Sequence, residues 1–323
     1  MNFLEKYQII VSDAIEKYKF TDQPVQLYDP MNYILHLGGK RLRPVIVLMA
    51  CDLFDGDIEK AVKPALGIEY FHNFSLMHDD IMDQAPLRRG KETVHIKYNE
   101  STAILSGDAM MVKSFQMLED LEPVLFKSCF RLFSETAIGV CEGQQYDMNF
   151  EMQNGVLYDE YIHMITGKTA VLCACALKMG AMIAETSEEN SQKMYEFGKY
   201  LGIAFQLMDD FLDVFGDQEL VGKQLAGDIY ENKKTILYIL AMQQGNEEQK
   251  KELTYWFGTN EQSEEKIQKV IQLFRDLKVD VQCKKLIDTY TRKACEYLNL
   301  IQIAEEKKQP LYDLVDYLLV RQK

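Results

Sequence analysis

The chain has 323 residues, with 50 acidic against 36 basic side chains and a formal net charge of −14 at pH 7. A surface that acidic repels nucleic acid and anionic lipid, which excludes both as primary partners. Hydrophobic residues make up 47 % and charged residues 27 %, the balance of a globular chain and not of a disordered one.

In chain order, Met1 to Tyr7 lacks a basic flank followed by an apolar block, so no secretory signal is expected. Polar connectors are read at Thr21–Pro30 and Pro86–Glu92, around the apolar helices Pro44–Leu53 and Ala65–Met77. Six of the seven prolines precede Val124 and the last is Pro310; the long interval between carries none, which argues for successive helices. Thr169–Ala184 is apolar on most of its circumference, as an interior helix is. In Lys193–Phe215 the apolar positions recur at three- and four-residue steps. Further connectors are expected at Glu185–Ser191, Asp217–Lys234 and Gln244–Glu247, and Gln243–Lys269 reads as a peripheral helix pair. Asn154-Gly155 is expected to join helices, because no alternating runs flank it as a hairpin requires.

The expectation is one all-α domain over residues 1–323, with ten or more helices and no linker. No apolar run approaches the roughly 18–20 residues of a membrane span. The cysteines at 51, 129, 141, 173, 175, 283 and 295 are odd in number and form no CxxC pair. They read as reduced thiols of a cytoplasmic protein, with neither a disulfide frame nor a zinc site.

Two acidic clusters resemble each other. Leu76-Met77-His78-Asp79-Asp80-Ile81-Met82-Asp83 and Leu207-Met208-Asp209-Asp210-Phe211-Leu212-Asp213 each put Asp-Asp-x-x-Asp at the end of an apolar helical run. Residues i and i+4 share a helix face, so Asp79 pairs with Asp83 and Asp209 with Asp213. Two carboxylates about 4 Å apart repel by about 4 kcal/mol at an effective dielectric near 20. Among apolar neighbours they take up protons or recruit a cation. All-oxygen ligands select hard ions, chiefly magnesium, whose remaining positions phosphate oxygens can fill. The expected site is therefore magnesium with a diphosphate, between two facing helices. The plain alternative is two solvated acidic helix ends, which the duplication disfavours.

Basic residues stand near both clusters. Gly38-Gly39-Lys40-Arg41-Leu42-Arg43-Pro44 precedes an apolar helix, and Arg88-Arg89-Gly90-Lys91 follows the first cluster. Lys168-Thr169 opens an apolar helix, while Lys223 and Lys233-Lys234-Thr235 trail the second cluster. Arginine suits bidentate phosphate contacts and lysine supplies a point charge. His72 lies seven residues before Asp79, on the same helix face, in reach of a phosphate oxygen. His78-Asp79 also fits a helical His/Asp phosphohydrolase, for which the five histidines (36, 72, 78, 95 and 163) give no further support.

These blocks resemble the trans-type polyprenyl diphosphate synthases, such as the farnesyl and geranylgeranyl diphosphate synthases. The resemblance rests on GGKRLRP at 38, HNFSLMHDDIMD at 72, RRG at 88 and AILSGDAM at 103. GQQYD at 143, GKTA at 167, GIAFQLMDDFLD at 202, GD at 227 and KKT at 233 follow in the family's order.

It implies an all-α bundle around a central cavity, usually homodimeric. Asp79, Asp80 and Asp83, with Asp209, Asp210 and Asp213, match the aspartate motifs that hold about three magnesium ions on the allylic diphosphate. Arg88, Lys168 and Lys233 match residues gripping that diphosphate, and Lys40, Arg43, His72 and Arg89 match the isopentenyl diphosphate pocket. Thr169 and Gln206 match positions at the reacting centre, and Gln144 and Asp147 a supporting polar pair.

The implied activity is head-to-tail condensation of isopentenyl diphosphate with dimethylallyl, geranyl or farnesyl diphosphate. Phe74, five residues before Asp79, and the small Ser75 match chain-length positions. With no insertion in DDIMD, they imply geranylgeranyl or farnesyl products. Gln84-Ala85-Pro86 and Asn99 depart from the family pattern, and Arg321 and Lys323 resemble a basic tail over the isopentenyl site. A class I terpene cyclase and a non-catalytic subunit of a heteromeric synthase are the alternatives.

Overall fold

The computed structural model describes residues 4–153, 155–216, 226–259 and 263–319. Helices dominate, as the spacing predicts. They are α1 (Glu5–Lys17), α2 (Val25–Leu35), α3 (Leu42–Leu53), α4 (Ile58–Met82), α5 (Val94–Lys97), α6 (Glu100–Gln116), α7 (Pro123–Met152) and α8 (Tyr158–Ile165). A π-helical turn (Thr166–Ala170) leads into α9 (Val171–Ile183) and α10 (Glu188–Phe215). The series ends with α11 (Gly227–Tyr230), α12 (Ile236–Gln244), α13 (Glu247–Gly258), α14 (Glu264–Asp276), α15 (Val279–Leu300) and α16 (Glu305–Leu319).

The chain divides into two compact units, with boundaries inside α7, α9 and α10. The first holds residues 1–135 and 175–194. Its centre is α4, which packs against α1, α2, α3, α5 and α6. Every residue from Pro64 to Phe71 is buried, so α4 has no solvent face there and works as a core rod. The second unit holds residues 136–174 and 195–323. There α12, buried from Ile236 to Ala241, packs against α8, α13, α14 and α15.

Caps fix where helices begin. The Asp57 carboxylate accepts from the Glu59 N–H ahead of α4. Asn99, a departure from the family pattern, accepts from the Thr102 N–H at 2.8 Å and so starts α6. Asn246 and Gln249 form a reciprocal capping box on α13.

Four local expectations change. Pro30, Pro64 and Pro310 lie inside helices, each in the second turn, where the lost bond reaches back only to a first-turn carbonyl. The connector at 86–92 is a hairpin, β1 (Leu87–Arg88) antiparallel to β2 (Lys91–Glu92). Its two turn residues, Arg89 (φ 54°) and Gly90 (φ 74°), both have positive φ, as a two-residue type I′ turn requires. The helix expected from Thr169 continues α8 through the π-turn. The resulting segment Tyr158–Ile183 is long and apolar enough to cross a membrane, but most of it is buried in the protein, as a core helix is.

Candidate active site

The first acidic motif ends α4. Asp79 is half-buried and Asp83, the C-cap, is exposed. Asp80 points the other way and is 2 % exposed. Arg88 closes on it with Nε donating to both carboxylate oxygens at 2.9 Å and Nη2 to Oδ1 at 2.7 Å. Such a forked, charge-assisted pair sets the guanidinium plane, so Asp80 and the hairpin position Arg88. His78 packs edge-on against Phe74 and bonds the Ile104 carbonyl at 3.1 Å, which makes it a packing residue.

A basic group surrounds His72 in the same unit. Gly39 has φ +123°, and a Cβ there would stand 2.6 Å from the Arg89 guanidinium carbon. Glycine is therefore what lets Arg89 lie on the turn and donate to the Gly38 carbonyl. Arg41 donates to the Leu35 carbonyl and forms a buried pair with Glu69 at 2.6 Å. Asn73 donates to the same Glu69 oxygen at 2.8 Å. Arg43 Nη1 meets His72 Nε2 at 3.1 Å, while Arg43 Nε is buried with no partner among the described residues. Burial first, then Arg43, Arg89, Arg88 and Arg41, push the His72 pKa well below its ordinary value. The ring is neutral at pH 7, so Nε2 accepts from Arg43 and Nδ1 carries the proton. Lys40 is exposed, and its carbonyl accepts from Gln8 at 3.2 Å.

The second motif lies on α10 in the other unit. Asp209 and Asp213 are half-buried, whereas Asp210 is 3 % exposed. Asp210 accepts from the Tyr161 hydroxyl and, at 3.0 Å, from Gln206 Nε2. Thr169 Oγ1 donates to Gln206 Oε1 at 3.0 Å, so four side chains form one line. Burial, opposed by Tyr161, Gln206 and the Ile236 backbone N–H and assisted by Asp209, pushes Asp210 up to about 7. Lys168 pairs with Asp147 at 2.6 Å. Both Lys168 and Thr169 sit in the π-turn, which is wedged against Gly143; a Cβ on Gly143 would overlap the Lys168 backbone.

Two features here were not legible in the sequence. Asp228, read only as part of a Gly-Asp block, donates its N–H to Asp213 Oδ2 at 3.1 Å. Burial and the Asp213, Asp210 and Asp209 charges push its carboxyl up to about 8 despite Lys233. Tyr161 is the other, one apolar-face tyrosine among the 18 of the chain. Of the KKT block, Lys233 pairs with Glu231 at 2.8 Å. Lys234 instead donates to the carbonyls of Phe150, Glu151 and Gln153, capping α7. Lys223, Arg321, Lys323 and Asn154 lie outside the described residues.

The donor set suits a hard divalent ion. Gathered carboxylates with raised pKa hold protons unless a cation replaces them, and every donor is oxygen. Among the described residues no three acids, histidines or cysteines converge as a ready-made cage. Few protein ligands per ion is the regime of magnesium completed by water or phosphate.

Below the first motif, α4 presents aromatic rings. Phe74 packs edge-on against Phe71 (centroids 5.2 Å apart) and Phe71 edge-on against Phe133 (5.4 Å), while Phe133 meets Phe115 at a tilt (4.7 Å). Ser75 Oγ donates to the His72 carbonyl at 2.9 Å. A cavity of about 960 Å3 opens at the opposite end of α4, beside Lys60, Lys63, Met117 and Leu121, away from the acidic motif.

The sequence profile of the polyprenyl synthetase family matches residues 24–274. The chain belongs to the polyprenyl synthetase family. It is similar to a geranylgeranyl diphosphate synthase of Saccharolobus solfataricus, at 37 % identity over 90 % of this chain and 89 % of the relative. A geranylgeranyl diphosphate synthase of Methanosarcina mazei is 34 % identical over 97 % of this chain and 95 % of its own. A crystal structure of a geranylgeranyl pyrophosphate synthase superposes with a TM-score of 0.94 and 42 % identity over the full length of both chains. This polyprenyl synthetase is thus an all-α prenyltransferase of the short-chain trans type.

Proposed function

We propose that this prenyltransferase condenses isopentenyl diphosphate with an allylic diphosphate to give geranylgeranyl diphosphate, with farnesyl diphosphate the shorter alternative. The observation that carries the reading is a repeated arrangement. In each motif two accessible carboxylates one turn apart flank a third that the protein buries: Asp79 and Asp83 around Asp80, Asp209 and Asp213 around Asp210. Asp79, Asp83, Asp209, Asp213 and Asp228 would hold magnesium, about three ions on the family pattern. Asp80 and Asp210, which the resemblance puts among the ligands, instead orient Arg88 and Gln206. Magnesium, when bound, neutralises the negative charge that develops on the leaving diphosphate.

The chain's own residues do the rest. Arg88, Lys168 and Lys233 stabilise the same charge as the allylic C–O bond ionises. Lys40, Arg43, Arg89 and neutral His72 bind the isopentenyl diphosphate; the unpartnered Arg43 Nε is a donor that a diphosphate oxygen satisfies. Its double bond attacks the allylic carbon, and the departing diphosphate takes the proton that is lost. Thr169 and Gln206 orient at the reacting centre, and the apolar wall excludes water from the cation. Phe74, backed by Phe71, Phe133 and Phe115, is the floor that stops elongation, and Ser75 leaves room above it.

The enzyme acts as a homodimer. Ile104, Leu105 and Val112 on one face of α6, with Val124 and Phe130 on α7, are exposed apolar residues that a second copy covers. Light scattering at twice the monomer mass is the expected result, and a monomer at micromolar concentration refutes it.

One assay tests the function: purified protein, magnesium, labelled isopentenyl diphosphate and each allylic primer in turn. A linear C20 product is expected, and chelation should abolish it. Cyclic hydrocarbon instead would mean a terpene cyclase, and silence until a partner chain is added would mean a non-catalytic subunit.

A further inference from the structure

We infer that Tyr161 is a positioning residue for prenyl transfer, acting through Asp210 on Gln206 and Thr169. The inference rests on the assignment of Gln206 and Thr169 to the reacting centre. Tyr161 is 2 % exposed on α8, and its hydroxyl donates to Asp210 Oδ2. The other oxygen, Oδ1, accepts from Gln206 Nε2, and Gln206 Oε1 accepts from Thr169. The direction of every bond follows from that order. Toward an ionised Asp210 the phenol can only donate, and both carboxylate oxygens then accept. The Gln206 amide is then fixed with nitrogen toward Asp210 and oxygen toward Thr169. The Thr169 hydroxyl spends its proton on Gln206, and its lone pairs are left for other partners.

An oxygen whose lone pairs are held in place stabilises a developing cation without reorganising, whereas a free hydroxyl must first turn. Asp210 sits four residues after Gln206 on the same helix. Its carboxylate is held from other helices by the Tyr161 hydroxyl and by the Ile236 backbone N–H, and of these Tyr161 is the side-chain donor, on the oxygen opposite the one that meets the amide. Thr169 is held from its own side by the π-turn, which Gly143 lets approach closely. The line therefore runs between two fixed ends, Tyr161 on α8 and Thr169 in the π-turn.

Tyr161→Phe keeps the ring and deletes only the donor. Its kcat should fall about 10- to 100-fold, the range seen when an outer hydrogen-bond partner is lost, with KM for both diphosphates within about threefold. On a Gln206→Ala background the same change should add almost nothing, because the relay is already cut. A merely structural role predicts the opposite, additive losses that track the melting temperature. An unchanged kcat in Tyr161→Phe, or additive losses in the double variant, overturns the inference. The side-chain amide resonances of Gln206, assigned by their absence in Gln206→Ala, give a readout that needs no substrate. They should shift in Tyr161→Phe, and resonances that stay put also overturn the relay. A wild-type chain that elongates nothing while those resonances do shift would instead sink the prenyl-transfer reading and leave the relay standing.

Discussion

Asp79 and Asp80 are neighbours in sequence and opposite in circumstance, since one helical step of 100° takes the chain from an accessible face to a buried one. The expected consequences differ accordingly. Asp79→Ala or Asp209→Ala should cut turnover by at least about 100-fold, the loss seen when a key electrostatic stabiliser goes. Initial rates under saturating substrate check this, and near-normal rates in both would end their assignment as ligands. Glu69 predicts a stability effect instead. It holds Arg41 and Asn73 in a buried site, so Glu69→Ala leaves an uncompensated guanidinium and should cost about 3–5 kcal/mol in urea unfolding. A loss below about 1 kcal/mol would place that pair in solvent, at the value of an exposed ion pair.

Helix α4 joins the acidic motif at its C-terminus to the aromatic ladder one and two turns upstream. A ring at position 74 closes the space a growing chain would follow, so Phe74→Ala should shift products beyond those of the wild type. Chromatography of the dephosphorylated prenols reads the outcome, and an unchanged distribution would remove Phe74 as the floor. The π-turn is the corresponding device in the second unit. It depends on contact between two helix backbones that only glycine at 143 allows. Gly143→Ala must push the Lys168 backbone aside. Overpacking of this kind typically costs about 1–3 kcal/mol. The Lys168–Asp147 pair should be displaced with it, seen as a higher KM for the allylic diphosphate. Unaltered KM and stability would show that the turn tolerates the shift.

At the scale of the whole chain, most of the 50 acids lie at or near the surface, and a few sit where burial resists their charge. Asp210 and Asp228 are raised from the ordinary 3.8 to about 7 and about 8. A carboxyl with a raised folded-state pKa binds more protons folded than unfolded, so stability falls as pH rises from about 4 to about 8. Metal-free protein should therefore melt at lower temperature at pH 8 than at pH 5.5. Magnesium with inorganic diphosphate should restore most of the difference, and a melting temperature that rises over that interval would contradict the burial of these groups. Much of this was legible beforehand. The three- and four-residue apolar steps gave the helices, and i to i+4 spacing gave the shared faces of Asp79 with Asp83 and Asp209 with Asp213, because both depend only on local helix geometry. Prolines 30 and 64 misled, since a ring in the second turn does not stop a helix that packing holds. The tertiary structure alone decided that Asp80 and Asp210 turn inward onto Arg88 and Tyr161, and that Asp228 joins Asp213. Those partners lie 8, 49 and 15 residues away in the chain, and no periodicity in a sequence encodes a contact made by folding across such distances.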